Sequence, residues 1–384
     1  MRRSITLIAG LATLTVSAFA QPFYLRGGFD GWQANVLLNE TFAGSNIFEG
    51  SATGLVPGTD FEFKAAQAGW DGPEAPVFGG NARSRVNQNG TLNVRFYNID
   101  TPNDGWEPNT RRLGILNSNF EVSPGTWVPS PYILVGNLVN PNWSRPGVPT
   151  VIGGDGVRRA SLQMVNNTEV EGKFAGGNVT ANPNDIDWSY NVGELFACNT
   201  NNIKYTPSVA GLHTWELDLA GGRYRTVQAF SKTISGTLDL DGFTGDPSSR
   251  IFTVEVRHGG TNAVIETIRV KPDAGGGFTI GTVASVTAVN LHIKGNQWLS
   301  RNKLDVTANN GANTVGTITM INGDINDDNA IDFFDYLILS GAYETSAGES
   351  LYDANPYADL NGDGTIDFFD FLILNANYEK EPDL

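Results

Sequence analysis

Two stretches near the C-terminus repeat each other at a fixed offset of 35 residues, and they limit the possible folds more than any other feature of the chain. The first is Asp324-Ile325-Asn326-Asp327-Asp328-Asn329-Ala330-Ile331-Asp332-Phe333-Phe334-Asp335. The second is Asp359-Leu360-Asn361-Gly362-Asp363-Gly364-Thr365-Ile366-Asp367-Phe368-Phe369-Asp370. Side-chain oxygens fall at positions 1, 3, 5, 9 and 12 of both: Asp324, Asn326, Asp328, Asp332 and Asp335, then Asp359, Asn361, Asp363, Asp367 and Asp370. Position 7, Ala330 or Thr365, would add a backbone carbonyl. A hard divalent cation collects about six or seven oxygens from a loop of this kind. Ile331 and Ile366 at position 8 are expected to point inward and tie the loops together. Position 6 needs positive φ; Gly364 supplies it freely, and Asn329 is the next most tolerant residue. A disordered acidic tail would not repeat ligand spacing and hydrophobic pattern together.

Each loop runs into an apolar stretch, Tyr336-Leu337-Ile338-Leu339 or Phe371-Leu372-Ile373-Leu374, which can form one face of a short helix. Asn322-Gly323 and Tyr357-Ala358 precede the loops in place of a matching amphipathic helix. A loop followed by a single helix is half an EF-hand, and the duplicated arrangement closely resembles a type I dockerin. The resemblance implies a small all-α domain of two loop–helix repeats that folds around two calcium ions and binds a cohesin-type partner on a scaffold or cell surface. Carried over by position, the ligands are the ten side chains above with the carbonyls of Ala330 and Thr365. The resemblance also places partner contacts at loop positions 10 and 11, here Phe333-Phe334 and Phe368-Phe369, where many members carry Ser-Thr. The duplication implies two nearly equivalent docking orientations. Without metal the carboxylates repel each other, so folding is expected to be coupled to calcium. The loops should fail together if Ile331 and Ile366 share a core.

The formal net charge of −16 belongs mostly to this segment, where 15 acidic residues from Asp324 onward face Lys380 alone. No basic cluster elsewhere points to nucleic acid. The N-terminus reads as a secretory signal over residues 1–20: Arg2 and Arg3, a short apolar run from Ile5 to Val16, and Ala18-Phe19-Ala20 as a cleavage site. Secretion or cell-surface display follows, with no later transmembrane segment expected. Cys198 is alone and forms no intrachain disulfide.

Residues 21 to about 321 show short apolar alternation broken by Gly, Asn, Pro and Asp, which predicts tandem β-sandwiches and a mainly β chain. The expected division is 21–112, 113–229 and a 230–321 Ig-like spacer, followed by the calcium-binding domain over 322–384. The first two modules share a faint order of features. The first has Tyr24-Leu25-Arg26-Gly27 leading to Trp32, then Phe61-Glu62-Phe63-Lys64, then Trp70. The second has Tyr132-Ile133-Leu134-Val135-Gly136 leading to Trp143, then Lys173-Phe174, then Trp188. This order resembles starch-binding β-sandwich modules. The resemblance implies polysaccharide contacts from Trp32, Lys64 and Trp70, and from Trp143, Lys173 and Trp188. Sugar C–H faces stack on flat aromatic rings, and indole adds an N–H donor. Each Trp has the competing reading of a sandwich-core residue. Trp215, in a strand alternating with Leu217 and Leu219, is expected in the core, while Trp106 and Trp127 fall in linkers.

Catalytic chemistry has little to stand on. The three His, His213, His258 and His292, show no zinc spacing and no triad order, and there is no G-x-S-x-G elbow. Two carboxylates would suffice for glycoside cleavage, and Glu169, Glu171, Glu194 and Glu216 are available. The expectation is therefore a non-catalytic assembly subunit that binds polysaccharide and docks through its calcium module. The alternatives are a dockerin-bearing glycoside hydrolase or polysaccharide lyase, and a structural cell-surface protein.

Overall fold

The computed structural model describes residues 22–76, 80–100, 102–116, 119–138, 143, 147–177, 186–193, 196 and 200–383. The signal segment, Glu194 and Cys198 lie outside them, as does the side chain of Trp188. The chain is mainly β, with a small helical domain at its C-terminus. Among the described residues no helix is long and apolar enough to cross a membrane.

In the first module, strand Phe23–Gly27 lies between Val36–Glu40 and Asp60–Gln67. Val36–Glu40 then crosses into a second layer. Its Leu37 and Leu38 pair with the first strand, while Asn39 and Glu40 pair with Ile47–Ala52. Leu92–Tyr97 and Arg112–Ile115 complete that layer. Alternation buries Phe23, Leu25, Phe63, Leu92, Val94 and Phe96 between the layers. The expected border at 112 falls inside strand Arg112–Ile115, whose Leu113 and Ile115 complete this core. The first module therefore runs to about residue 116.

The second module stacks a sheet built on Tyr132–Gly136 and Val170–Gly177 against one built on Arg158–Met164 and Gly211–Asp218. Trp215 is fully buried between them with Phe174 and Leu217, as its alternation predicts. Trp106 is no idle linker residue. It is buried beneath Arg223 and Arg225, with guanidinium carbons 4.5 and 4.1 Å from its ring, and so joins the first two modules.

The third module pairs a three-stranded sheet with a four-stranded one. In the first, Lys232–Leu240 runs parallel to Gly311–Met320. The second has the order 264–270, 252–258, 288–295, 298–307. Its core is the largest apolar cluster and centres on Phe252, Ile268, Leu291 and Trp298.

The C-terminal domain contains α1 (Phe333–Gly341), α2 (Ser350–Ala354) and α3 (Phe368–Asn377). α1 and α3 begin alike. Asp332 and Asp367 are N-caps, accepting from the N–H of Phe334 and Phe369, and Asp335 and Asp370 accept from the cap amides at 2.8 Å in each case. These capping boxes satisfy donors that every helix start leaves free. The sequence offset reappears in space: Glu379 N–H donates to Ile331 O, and Glu344 N–H donates to Ile366 O. Ile331 and Ile366 share one core with Leu339, Leu360 and Leu374.

Candidate functional site

The two twelve-residue loops are folded by their own carboxylates. In the first, Asp335 Oδ1 accepts from the amides of Ile325 and Asn326 at 2.7 and 3.1 Å. In the second, Asp370 Oδ1 accepts from Leu360 and Asn361 at 2.7 and 3.0 Å. Asn326 Oδ1 and Asn361 Oδ1 accept from the amides of Asp328 and Asp363, and the Asn amide groups donate back to those carboxylates. Asp328 and Asp363 in turn accept from Ala330 and Thr365. Position 6 has the expected backbone, with φ of 69° at Asn329 and 93° at Gly364.

Asp324, Asp335, Asp359 and Asp370 are all buried. Burial raises the Asp335 carboxyl above its ordinary range and pushes Asp324 and Asp370 up to about 6. Asp324 Oδ1 is buried with no hydrogen-bond partner. A buried carboxylate oxygen without a donor is costly, and here it stands within an all-oxygen donor set that suits a hard cation. The residues present therefore fit calcium. Among the described residues no three acidic or imidazole side chains converge on one point by themselves. The oxygens of Asn326, Asn361 and the position-7 carbonyls would have to complete each sphere.

The third module grips both loops. Gln297 is buried, and its carbonyl accepts from Gly323 and Asp324 at 2.9 and 3.1 Å. Its side-chain amide donates to Asn322 Oδ1 and to the Leu360 carbonyl at 3.2 and 3.3 Å. Asn329 exchanges hydrogen bonds with Ser300 at 2.7 and 2.9 Å. Thr244 N–H donates to Asn361 O, and Asn377 donates to Asp241. Leu299, a third-module residue, belongs to the core of the C-terminal domain. The module read as a spacer is thus packed directly onto both loops.

Outside the loops, α1 and α3 carry matching exposed side chains. Phe334 and Phe369 are each 61% exposed, and Phe333 and Phe368 are 55% and 54% exposed. Leu337 and Leu372 extend the surface. Rings run across both helices, from Phe333 to Tyr336 at 6.1 Å, to Phe371 at 6.3 Å, and to Phe368 at 6.1 Å. Beside them is a shallow cleft of about 330 Å³ that reaches Leu339 and Tyr343.

In the first module the expected trio lies together. Trp32 and Trp70 are 6.2 Å apart by ring centroid, with Trp70 43% exposed. Lys64 is directly opposite Arg26 across the strands, and therefore on the same face. It is buried and paired with Glu74 at 3.0 Å. Sequence reasoning passed over Arg26, whose guanidinium lies 3.8 Å from the Trp70 ring and donates to the carbonyls of Trp32, Gln67 and Ala68. The only available signal was its place in the strand that leads to Trp32. Trp32 and Trp70 have φ of 66° and 62°. Left-handed backbone at a bulky aromatic is strained and clusters at ligand-binding sites.

The second module repeats part of this. Trp143 has φ of 55°, and its N–H donates to Gly136 O at 2.9 Å, as that of Trp32 does to Gly27 O at 2.8 Å. Lys173 is opposite Val135, not an arginine, and donates to Thr200 O at 2.5 Å. Among the described residues, the candidate acids Glu169, Glu171 and Glu216 are held in ion pairs. Glu216 lies between Arg159 and Arg225 at 2.7 and 2.6 Å, and Glu169 and Glu171 share Lys204 at 3.0 and 3.1 Å.

The chain is 28% identical to a chain of a type II cohesin–X–dockerin complex from Acetivibrio cellulolyticus, covering 39% of this chain and 96% of that one with a TM-score of 0.32. It is 15% identical to SusF from Bacteroides thetaiotaomicron, over 59% of this chain and 51% of that one, with a TM-score of 0.23. These TM-scores are below 0.5, so the likenesses carry no weight for fold or function. No curated protein matches the chain. The family model of the dockerin type I domain matches residues 322–377. Dockerin domains in general bind calcium, in keeping with the oxygen donors of both loops. Residues 322–377 are a type I dockerin domain.

Proposed function

We propose that this chain is a secreted, non-catalytic assembly subunit that binds polysaccharide through its N-terminal sandwiches and docks through the dockerin onto a cohesin-type partner. The observation that carries the docking half is the matched exposure of Phe333-Phe334 and Phe368-Phe369 on one two-helix surface. Large aromatic anchors in an exposed patch are the side chains that dominate interface energetics. One calcium ion in each loop holds the helices that present these anchors. Asp324, Asn326, Asp328, Asp332 and Asp335 with the Ala330 carbonyl hold one ion. Asp359, Asn361, Asp363, Asp367 and Asp370 with the Thr365 carbonyl hold the other.

For polysaccharide, Trp32 and Trp70 form the platform, Arg26 braces the Trp70 ring from beneath, Lys64 supplies a charged donor, and Trp143, Lys173 and Trp188 form a second site. The support is the strained backbone at Trp32 and Trp70, which turns two indoles toward each other above a cationic strand pair.

Calorimetric titration of the full chain against a panel of recombinant cohesins, with calcium and with chelator, tests the docking half. Calcium-dependent binding to at least one cohesin is expected; no binding to any would refute it. Retention on polysaccharides in affinity electrophoresis tests the other half, which fails if no polysaccharide retards the chain.

A further inference from the structure

The two loops have the same ligand set, yet their first carboxylates meet different neighbours. Asp359 Oδ2 accepts from the Gly364 amide and from the Tyr352 hydroxyl at 2.7 Å, both neutral donors. Asp324 Oδ2 accepts from the Asn329 amide at 3.0 Å and from the Lys294 ammonium at 2.9 Å. Lys294 belongs to the third module, at the end of strand Ala288–Gly295. Its ammonium also reaches Asp327 Oδ1 at 2.5 Å and the Gly295 carbonyl at 2.8 Å. Asp327 is position 4 of the first loop; the second loop has Gly362 there. The lysine side chain is 22% exposed and Asp324 fully buried, so water screens this pair only in part.

We propose that Lys294 is a resident counter-cation for the first loop, holding its ligand-bearing half in place when calcium is absent, a part that neutral donors play in the second loop. This rests on reading both loops as calcium sites. The shared core of Ile331 and Ile366 holds the position-8 side of both loops. Ile325 and Leu360 at position 2 join that core, and the first carboxylate adds the contacts that fold the turn over positions 3–6. In the first loop those contacts include a full positive charge. In the second they are four neutral donors, the amides of Gly362, Asp363 and Gly364 and the Tyr352 hydroxyl, which serve both carboxylate oxygens. The third module thereby makes two loops with one ligand set unequal. Because the lysine opposes cation entry electrostatically, its removal should also raise calcium affinity at the first loop.

The test uses the full chain and hydrogen exchange read on peptides spanning 324–335 and 359–370, with calcium and after chelation. Lys294→Met should lower first-loop protection in chelator on the order of a hundredfold, the consequence of an unpaired buried carboxylate. It should leave the second loop unchanged, and Lys294→Arg should restore the wild-type pattern. With calcium present, Lys294→Met should match the wild type in both peptides, which separates the effect from general misfolding. Equal loss of protection in both loops of chelated Lys294→Met would overturn the proposal and leave the calcium reading intact. Indifference of both loops to calcium would overturn both. Unchanged first-loop protection in chelated Lys294→Met would also overturn the proposal.

Discussion

Phe334 and Phe369 occupy equivalent places in the two repeats, and each is 61% exposed. A phenylalanine buries on the order of 200 Å² at most, so docking can cover about 120 Å² more of each. At roughly 25 cal/mol per Å² that is about 3 kcal/mol per ring, or about a hundredfold in affinity. If the dockerin binds in two equivalent orientations, each led by one ring, Phe334→Ala or Phe369→Ala alone removes half of the bound states. The cost is then about 0.4 kcal/mol, a factor of two. The double substitution removes the leading ring from both orientations and should cost the full hundredfold. Exposed truncations of this kind change stability by about 0.5 kcal/mol or less, so the loss can be read as binding. Calorimetric titration of the four proteins against one cohesin decides the matter. A hundredfold loss from either single substitution would refute equivalence, and a double variant binding like wild type would refute the anchors altogether.

Further expectations follow from the other sites. Trp70→Ala should abolish polysaccharide retardation in affinity electrophoresis while leaving the thermal unfolding of the first module nearly unchanged. Trp215→Ala, deep in the second core, should instead cost about 3–5 kcal/mol of stability in denaturant titration. Leu299→Ala should loosen the dockerin although residue 299 precedes it, costing about 2–5 kcal/mol and raising amide exchange in α1 and α3. The carboxyls of Asp324 and Asp370 are raised to about 6 in the metal-free fold, so protonation stabilises that fold below about pH 4 and the gain is lost as pH rises through 6. Chelated protein should therefore show slower exchange in α1 and α3 at pH 4.5 than at pH 7.5 after correction for intrinsic rates. Calcium affinity should move oppositely, weakening in acid, because the ligands must be ionised to bind the ion.

The dockerin was legible because its information is local. Twelve-residue spacing sets the ligands, the positive φ at Asn329 and Gly364, and the capping boxes through Asp332–Asp335 and Asp367–Asp370. Contacts between near neighbours need little from the rest of the chain. The burial of Trp215 was equally readable from strand alternation. The aromatic trio Trp32, Lys64 and Trp70 could be paired by motif order, yet the placement of Arg26 against Trp70 depends on how the strands Phe23–Gly27 and Asp60–Gln67 register. Nothing local marks Leu113 and Ile115 as core; their partners lie in strands laid down much earlier.

By itself, then, the sequence determined the duplicated acidic loops, their helices and the β character of the described residues before them. Tertiary structure alone decided that the third module is a support for the dockerin. Gln297, Leu299 and Lys294 reach the loops across separations of some 25 to 60 residues or more. Pairings at that distance are selected by the fit of whole surfaces and by the burial of charges against counter-charges, and no short-range pattern in the chain encodes either.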